Sequence, residues 1–297
     1  MRAVSGRDVY RKPPGRRPRA RTGISRRSLF GLGLTASARR DIDWDGLTDR
    51  VRVGWERDGH EALLRALEPV AGVVAELAGT GPGTRVLDVG AGDGNLALAV
   101  AGRGATVEAC DLAPAMVERG RQRCAGQQIA WRVGDAQELP YPDGRFDAVL
   151  STFGASEAPN AARAASELVR VARPGAIVAI AAWVPRGLPG RVDELVEPYA
   201  HLPDGVQPPS DWGRQAVARA RLEPLLDELQ LLTRTVPLRF PSPEAFFDAL
   251  LRPRPLGPHD RAAVRPELER VLASCNNRPP EVEVGARYLI ALGRRAL

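Results

Sequence analysis

The sequence predicts an α/β fold in which a doubly wound, mostly parallel sheet of seven strands is flanked by helices. Two observations carry this. Short β-rich apolar runs alternate with amphipathic helical segments about every 20 to 25 residues from position 85 onward. The first of these runs, Val86-Leu87-Asp88-Val89, passes directly into a glycine-rich turn that opens a helix.

Taken in order, leucines, valines and alanines at helical spacing predict two short helices over 61–67 and 70–78, with Pro69 starting the second where no backbone donor is needed. Strands follow at 85–89, 106–110, 129–133, 146–151 and 176–182, and helices at 95–101, 114–124 and 161–171. Residues 183–220 break the alternation with Pro185, Pro189, Pro198, Pro203, Pro208 and Pro209, an insertion of the length often used as a lid. The pattern resumes with a helix near 222–229, a strand at 231–238, helices at 243–251 and 260–274, and a last strand at 282–291. The expected organisation is a basic arm over 1–40, cap helices over 41–80, an α/β core over 81–182, the insertion over 183–220 and a completion of the sheet over 221–297.

Charge and composition narrow the function. The chain has 297 residues and a net charge of +6, but twelve basic residues and one acid fall in positions 1–40. Residues 41–297 therefore carry 30 basic and 35 acidic side chains, a net of −5, and any phosphate-binding surface is confined to the arm. The arm itself, rich in arginine and proline and poor in large apolar residues, is expected to be disordered. Within it, Arg26-Arg27 and the short apolar stretch to Ala38 resemble a twin-arginine export signal, the minor alternative to a cytoplasmic location. Cys110, Cys124 and Cys275 form no C-x-x-C pair, so neither a disulfide framework nor a cysteine-rich metal site is expected. No apolar run reaches the ~18 residues that suggest a membrane span.

The turn Gly90-Ala91-Gly92-Asp93-Gly94-Asn95 has the spacing G-x-G-x-G and places Asn95 where a dinucleotide fingerprint has its third glycine. Asp88 and Asp93 bracket it with negative charge, which opposes a pyrophosphate and suits a ligand carrying an ammonium and a sulfonium. Here the sequence resembles the class I methyltransferases that use S-adenosylmethionine. Asp111, at the end of the next strand and followed by Leu112 and by Met116, continues the likeness, as does Gly134-Asp135-Ala136-Gln137 after the third strand. The runs 145–151, ending in Ser151, and 168–175 complete the ordered set.

The resemblance implies a Rossmann-like methyltransferase fold with S-adenosylmethionine as cofactor. It implies that Asp111 accepts hydrogen bonds from the ribose hydroxyls, that Asp135 takes the adenine amino group and that the Ala136 backbone lies beside the ring. Cofactor contacts are expected from Asp88, Gly90, Ala91, Gly92, Gly94, Asn95, Asp111, Leu112, Met116, Asp135, Ala136, Gln137 and Ser151. Leu139-Pro140-Tyr141-Pro142-Asp143-Gly144-Arg145-Phe146-Asp147 is similar to the small-molecule methyltransferases of ubiquinone and menaquinone biosynthesis. Trp55-Glu56-Arg57-Asp58-Gly59-His60 resembles a W-x-x-G-D-[YH] segment of related bacterial members with Gly and Asp exchanged, which adds Trp55 and His60 as capping residues.

The expected activity is transfer of a methyl group to a small organic acceptor by in-line displacement, a reaction that needs positioning above all. A hydroxyl or acidic-carbon acceptor would need a base, and the candidates are His60, His201 and His259. Trp183, Tyr199 and Trp212 are candidates for an aromatic wall around a flat acceptor. Two alternatives stay open: a nucleic-acid methyltransferase that uses the basic arm, and a cofactor-binding protein without transferase activity. The mildly acidic body and the lack of an N-P-P-[YF] or D-P-P-[YF] motif after Ser151 weigh against the first.

Overall fold

The computed structural model describes residues 42–254 and 256–297; the basic arm and its twin-arginine segment lie outside them. Helices α1 (Trp44–Glu56) and α2 (Glu61–Leu77) lead into β1 (Arg85–Val89), α3 (Asn95–Ala101), β2 (Thr106–Asp111), α4 (Pro114–Arg123) and β3 (Ile129–Val133). Then come β4 (Phe146–Thr152), α5 (Ala161–Val171), β5 (Ala172–Trp183), α6 (Leu188–Ala200) and α7 (Gln215–Leu222). The chain ends with β6 (Leu226–Phe240), α8 (Pro243–Leu251), α9 (Pro258–Ala273) and β7 (Val282–Arg295).

The seven strands run in the order β3-β2-β1-β4-β5-β7-β6. From β3 to β5 every neighbouring pair is parallel, while β7 lies antiparallel between β5 and β6. The chain winds outward from β1 to β3 and then returns to place β4 on the other side of β1. This reversal leaves a crevice beyond the carboxyl ends of β1 and β4, where open α/β sheets bind ligands.

Strands β1 and β4 are buried on both faces, which is why they read as continuous apolar runs. On one face Val70 and Val74 of α2, Leu96 of α3, Phe246 of α8 and Leu268 of α9 share one buried cluster with Leu238 of β6 and Val284 of β7. On the other, Leu168 of α5 and Leu222 of α7 pack on Leu87, Val149 and Leu289. Each face thus buries its own set of helices.

Two predicted elements differ, and one helix appears that the spacing does not predict. Pro69 does not start a helix but lies within the single helix α2. It sits on the exposed side, where water meets the carbonyl that loses its partner, while Leu63 and Val70 anchor both halves in the core. Helix α1 was not expected from the spacing: only Leu47 and Gly54 of its thirteen residues are buried, and it starts on Asp43, whose carboxylate accepts the Gly46 N–H at 2.9 Å. The predicted helix near 222–229 is the end of α7 followed by the start of β6, because pairing with β7 overrides the helical spacing of the leucines. Pro237 is tolerated in β6 because that strand forms the edge of the sheet. Residues 183–220 hold α6, a 3-10 turn at Pro209–Gly213 and most of α7.

Candidate functional site

The crevice is a cleft of about 850 Å³, counting its open mouth. Its floor is the turn after β1, where Gly90, Gly92 and Gly94 all adopt left-handed backbone with φ of 65°, 56° and 97°. A Cβ on Gly92 would stand 3.3 Å from Leu64 of α2 and fill the space between turn and helix.

Asp111 is the last residue of β2, so its side chain reaches the cleft beside this turn. One carboxylate oxygen accepts the Gly92 N–H at 2.8 Å and the other the Ala113 N–H at 2.9 Å, which fixes the group and leaves each oxygen able to accept again. Burial pushes this carboxyl up, while the Ala113, Gly92 and Leu112 N–H groups oppose the rise. Asp135 follows β3 and lines the cleft with Ala136. Its carboxylate accepts the Gln137 N–H at 2.8 Å and the Gln137 side-chain amide at 3.0 Å.

Of the residues expected to contact a cofactor, the structure brings Trp55, Gly90, Ala91, Gly92, Asn95, Asp111, Leu112, Asp135 and Ala136 together as the cleft wall. The rest stand behind it. Gln137 ties the site together: its amide donates to Thr48 of α1 at 2.8 Å and its carbonyl accepts the Asn160 N–H at 2.8 Å. Ser151 is buried, donating to the Val89 carbonyl at 2.7 Å and accepting the Ala155 N–H at 2.9 Å, so it joins β4 to the end of β1. Met116 is fully buried in α4. Gly94 gives way to a neighbour, since a Cβ there would lie 2.8 Å from the Cys124 sulfur.

Asp88 is fully buried, and no side chain among the described residues hydrogen-bonds its carboxyl oxygens. Burial raises it to about 8, the Ala97 N–H opposing the rise and the Asp111 charge adding to it. His60 is also closed off. Its Nε2 faces the Gly54 carbonyl at 3.2 Å and its ring packs on Trp55 with centroids 4.7 Å apart. Neither of the other candidate bases lines the cleft: His201 and His259 are exposed. Trp183 stacks on Phe153 at 4.0 Å, Trp212 lies under the Arg221 guanidinium at 4.7 Å, and Tyr199 packs against the core, so the aromatic wall does not form around the cleft.

The spacing rules missed the other side of the cleft: Val51 of α1, Leu64 and Leu67 of α2, and the segment Thr152-Phe153-Gly154 with Glu157, Ala158 and Pro159 that follows β4. Phe153 has a left-handed backbone, φ 67°, where a bulky residue is strained. The available signal was positional, because a segment at the carboxyl end of a strand beside β1 must border the crevice.

The electrostatics of the cleft are one-sided. Asp111, Asp135 and Glu157 line it, and among the described residues no lysine or arginine does. Asp93 is the exception in the turn, paired with Arg123 at 2.8 Å outside the cleft. Such a lining repels phosphates and favours a ligand that is cationic where it meets the protein. No cluster of metal-binding side chains exists among the described residues, and none of their helices is long and apolar enough to cross a membrane.

Comparison with known proteins agrees with this architecture. Residues 87–180 match a family described as a methyltransferase domain. The chain is 40% identical over 163 residues to an uncharacterized protein of Mycobacterium tuberculosis, covering 53% of this chain and 60% of the relative. It is 34% identical over 164 residues to a demethylmenaquinone methyltransferase of Beutenbergia cavernae, covering 55% and 61%. The chain thus spans about 60% of the length of these curated relatives. Among solved structures, the YcgJ protein of Bacillus subtilis aligns with a TM-score of 0.55 at 20% identity, covering 76% of this chain and 98% of that one. Phosphoethanolamine N-methyltransferase 2 of Haemonchus contortus, solved in complex with S-adenosyl-L-methionine, aligns with a TM-score of 0.54 at 17% identity, covering 83% and 60%. These likenesses bear out the expected fold and the resemblance to class I methyltransferases of the quinone-biosynthesis type.

Proposed function

We propose that this chain, whose residues 87–180 match a methyltransferase domain, binds S-adenosylmethionine in the cleft and transfers its methyl group to a small organic acceptor. The observation that carries the reading is the lining of the cleft: a glycine turn and three carboxylates with no basic side chain among the described residues. That donor set fits a sulfonium and an ammonium and does not fit a pyrophosphate. The free accepting capacity of Asp111 fits ribose hydroxyls, and Asp135 with the Ala136 backbone suits an adenine edge.

When bound, the cofactor supplies an activated methyl group on a good leaving group. The protein's share is then orientation and exclusion of water. Gly90 and Gly92 let the backbone approach the ligand, Asp111 fixes its position, and Trp55 with Val51 covers the cleft from α1. The similarity to a demethylmenaquinone methyltransferase supports an acceptor with an apolar body. A nucleic acid would have to be held by the arm, since the body is acidic.

The test is label transfer. Incubation of the full chain with methyl-tritiated S-adenosylmethionine and a solvent extract of small metabolites is expected to move label into solvent-soluble products. Label that enters added duplex DNA or RNA instead, or that moves nowhere, would contradict the reading.

A further inference from the structure

A second cavity of about 990 Å³, counting its mouth, opens beside the cleft. The two share Val51 and Trp55 of α1 and Glu157, Ala158 and Pro159 after β4 as a common wall. Elsewhere the second cavity is largely apolar, with Leu47 from α1, Val196 from α6, and Leu202 and Val206 beyond it. A ligand of drug-like size with an apolar body fits a space of this kind.

Glu157 is the carboxylate that faces both spaces. It ends the 3-10 turn Ala155–Glu157 that follows β4, so the strand next to β1 aims it at the junction. It makes no side-chain hydrogen bond or ion pair among the described residues. The charged groups around it are otherwise placed: the Arg254 guanidinium is bound to Asp193 and to the Leu250 carbonyl, while Arg50 of α1 and Glu197 of α6 face the second cavity. Burial raises the Glu157 carboxyl to about 7, the Asp193 charge adding to the rise and Arg254 opposing it. A carboxyl raised in this way is a stronger proton acceptor than an ordinary carboxylate.

Resting on the reading above, we propose that the second cavity holds the methyl acceptor, a molecule with an apolar body and one phenol-type hydroxyl, and that Glu157 takes its proton during transfer. The apolar walls disfavour a charged acceptor. A phenol-type hydroxyl enters such a space neutral and gives its proton to the base there, whereas an amine at neutral pH arrives as an ammonium ion, whose charge the largely apolar lining disfavours. In the step the acceptor O–H bond breaks and its proton passes to the Glu157 carboxylate. The oxygen electron pair forms the new bond to the methyl carbon. The carbon–sulfur bond breaks with its pair left on sulfur, so that a sulfonium becomes a neutral thioether. Glu157 afterwards returns its proton to water.

The test is binding to the full chain, read by calorimetry with two probes, 4-butylphenol and S-adenosylhomocysteine. The phenol is expected to bind about fivefold more tightly at pH 8 than at pH 6, since an ionised carboxylate accepts the stronger hydrogen bond. Glu157→Gln should abolish that pH dependence, and Val196→Trp, which fills the second cavity alone, should lower phenol affinity at least tenfold. Val196→Trp should still bind S-adenosylhomocysteine, which also shows that it is folded, and Glu157→Gln should keep the wild-type melting transition. Phenol binding indifferent to Val196→Trp, or a pH dependence that survives Glu157→Gln, would overturn the proposal. Failure of the wild-type chain to bind S-adenosylhomocysteine would instead overturn the cofactor reading, while the phenol titrations still report on the second cavity.

Discussion

Gly90 and Gly154 meet backbone to backbone: a Cβ on either residue would stand 2.5 Å from the other's Cα. The turn after β1 and the turn after β4 are therefore in direct contact, and this contact sets the floor of the cleft. Gly154→Ala forces the two turns apart without asking for a left-handed alanine, because only Gly90 has positive φ. The expected cost is about 1–3 kcal/mol of overpacking. Urea unfolding should show a lowered midpoint with an unchanged slope, accompanied by weaker cofactor binding.

Asp88 makes a pH prediction. Its carboxyl lies near the usual carboxylate range when the chain is unfolded and at about 8 in the folded protein. The folded state thus holds this proton more tightly, and the contribution to stability falls as pH rises from about 4 to about 8, by at most about 1.4 kcal/mol per pH unit. Asp88→Asn keeps the shape and removes the titration. The variant is expected to gain on the wild type steadily through that window, measured as the difference in unfolding free energy. A constant difference would contradict the burial argument.

His60 has the opposite sign. Burial lowers its imidazole, the Gly54 carbonyl pulls the other way, and the charges of Arg119 and Arg252 add to the lowering. Its stabilising contribution is complete above pH 6.5 and is lost as pH falls below it, because the unfolded chain takes up the proton first. Thermal unfolding from pH 7 to pH 5 should therefore show a steeper loss for the wild type than for His60→Gln. Parallel curves would mean that His60 is solvated.

The strands from β1 to β4 were legible because each is a β-rich apolar run closed by glycine, proline or aspartate. The glycine turn, Asp111 and Asp135 were legible too, since a strand end and a tight turn fix their direction in advance. Helix α1 was not, because two buried residues in thirteen leave no stripe. Pro69 misled because its missing hydrogen bond falls on the solvent side. Histidines are the candidate bases by their ordinary titration range, but His60 is sealed in and His201 and His259 face solvent. Glu157 carries no spacing signature; the return of the chain to place β4 beside β1 brings it to the cleft.

The hydrogen bonds of Asp111 to Gly92 and Ala113 are the centre of the account, and calorimetry on the full chain tests them most directly. S-adenosylhomocysteine is expected to bind and NAD is not. Asp111→Ala, checked for an intact melting transition, should weaken S-adenosylhomocysteine by roughly 10- to 150-fold, the equivalent of about 1.5–3 kcal/mol for hydrogen bonds to a charged group. NAD binding, or an affinity for S-adenosylhomocysteine unmoved by the substitution, would contradict it.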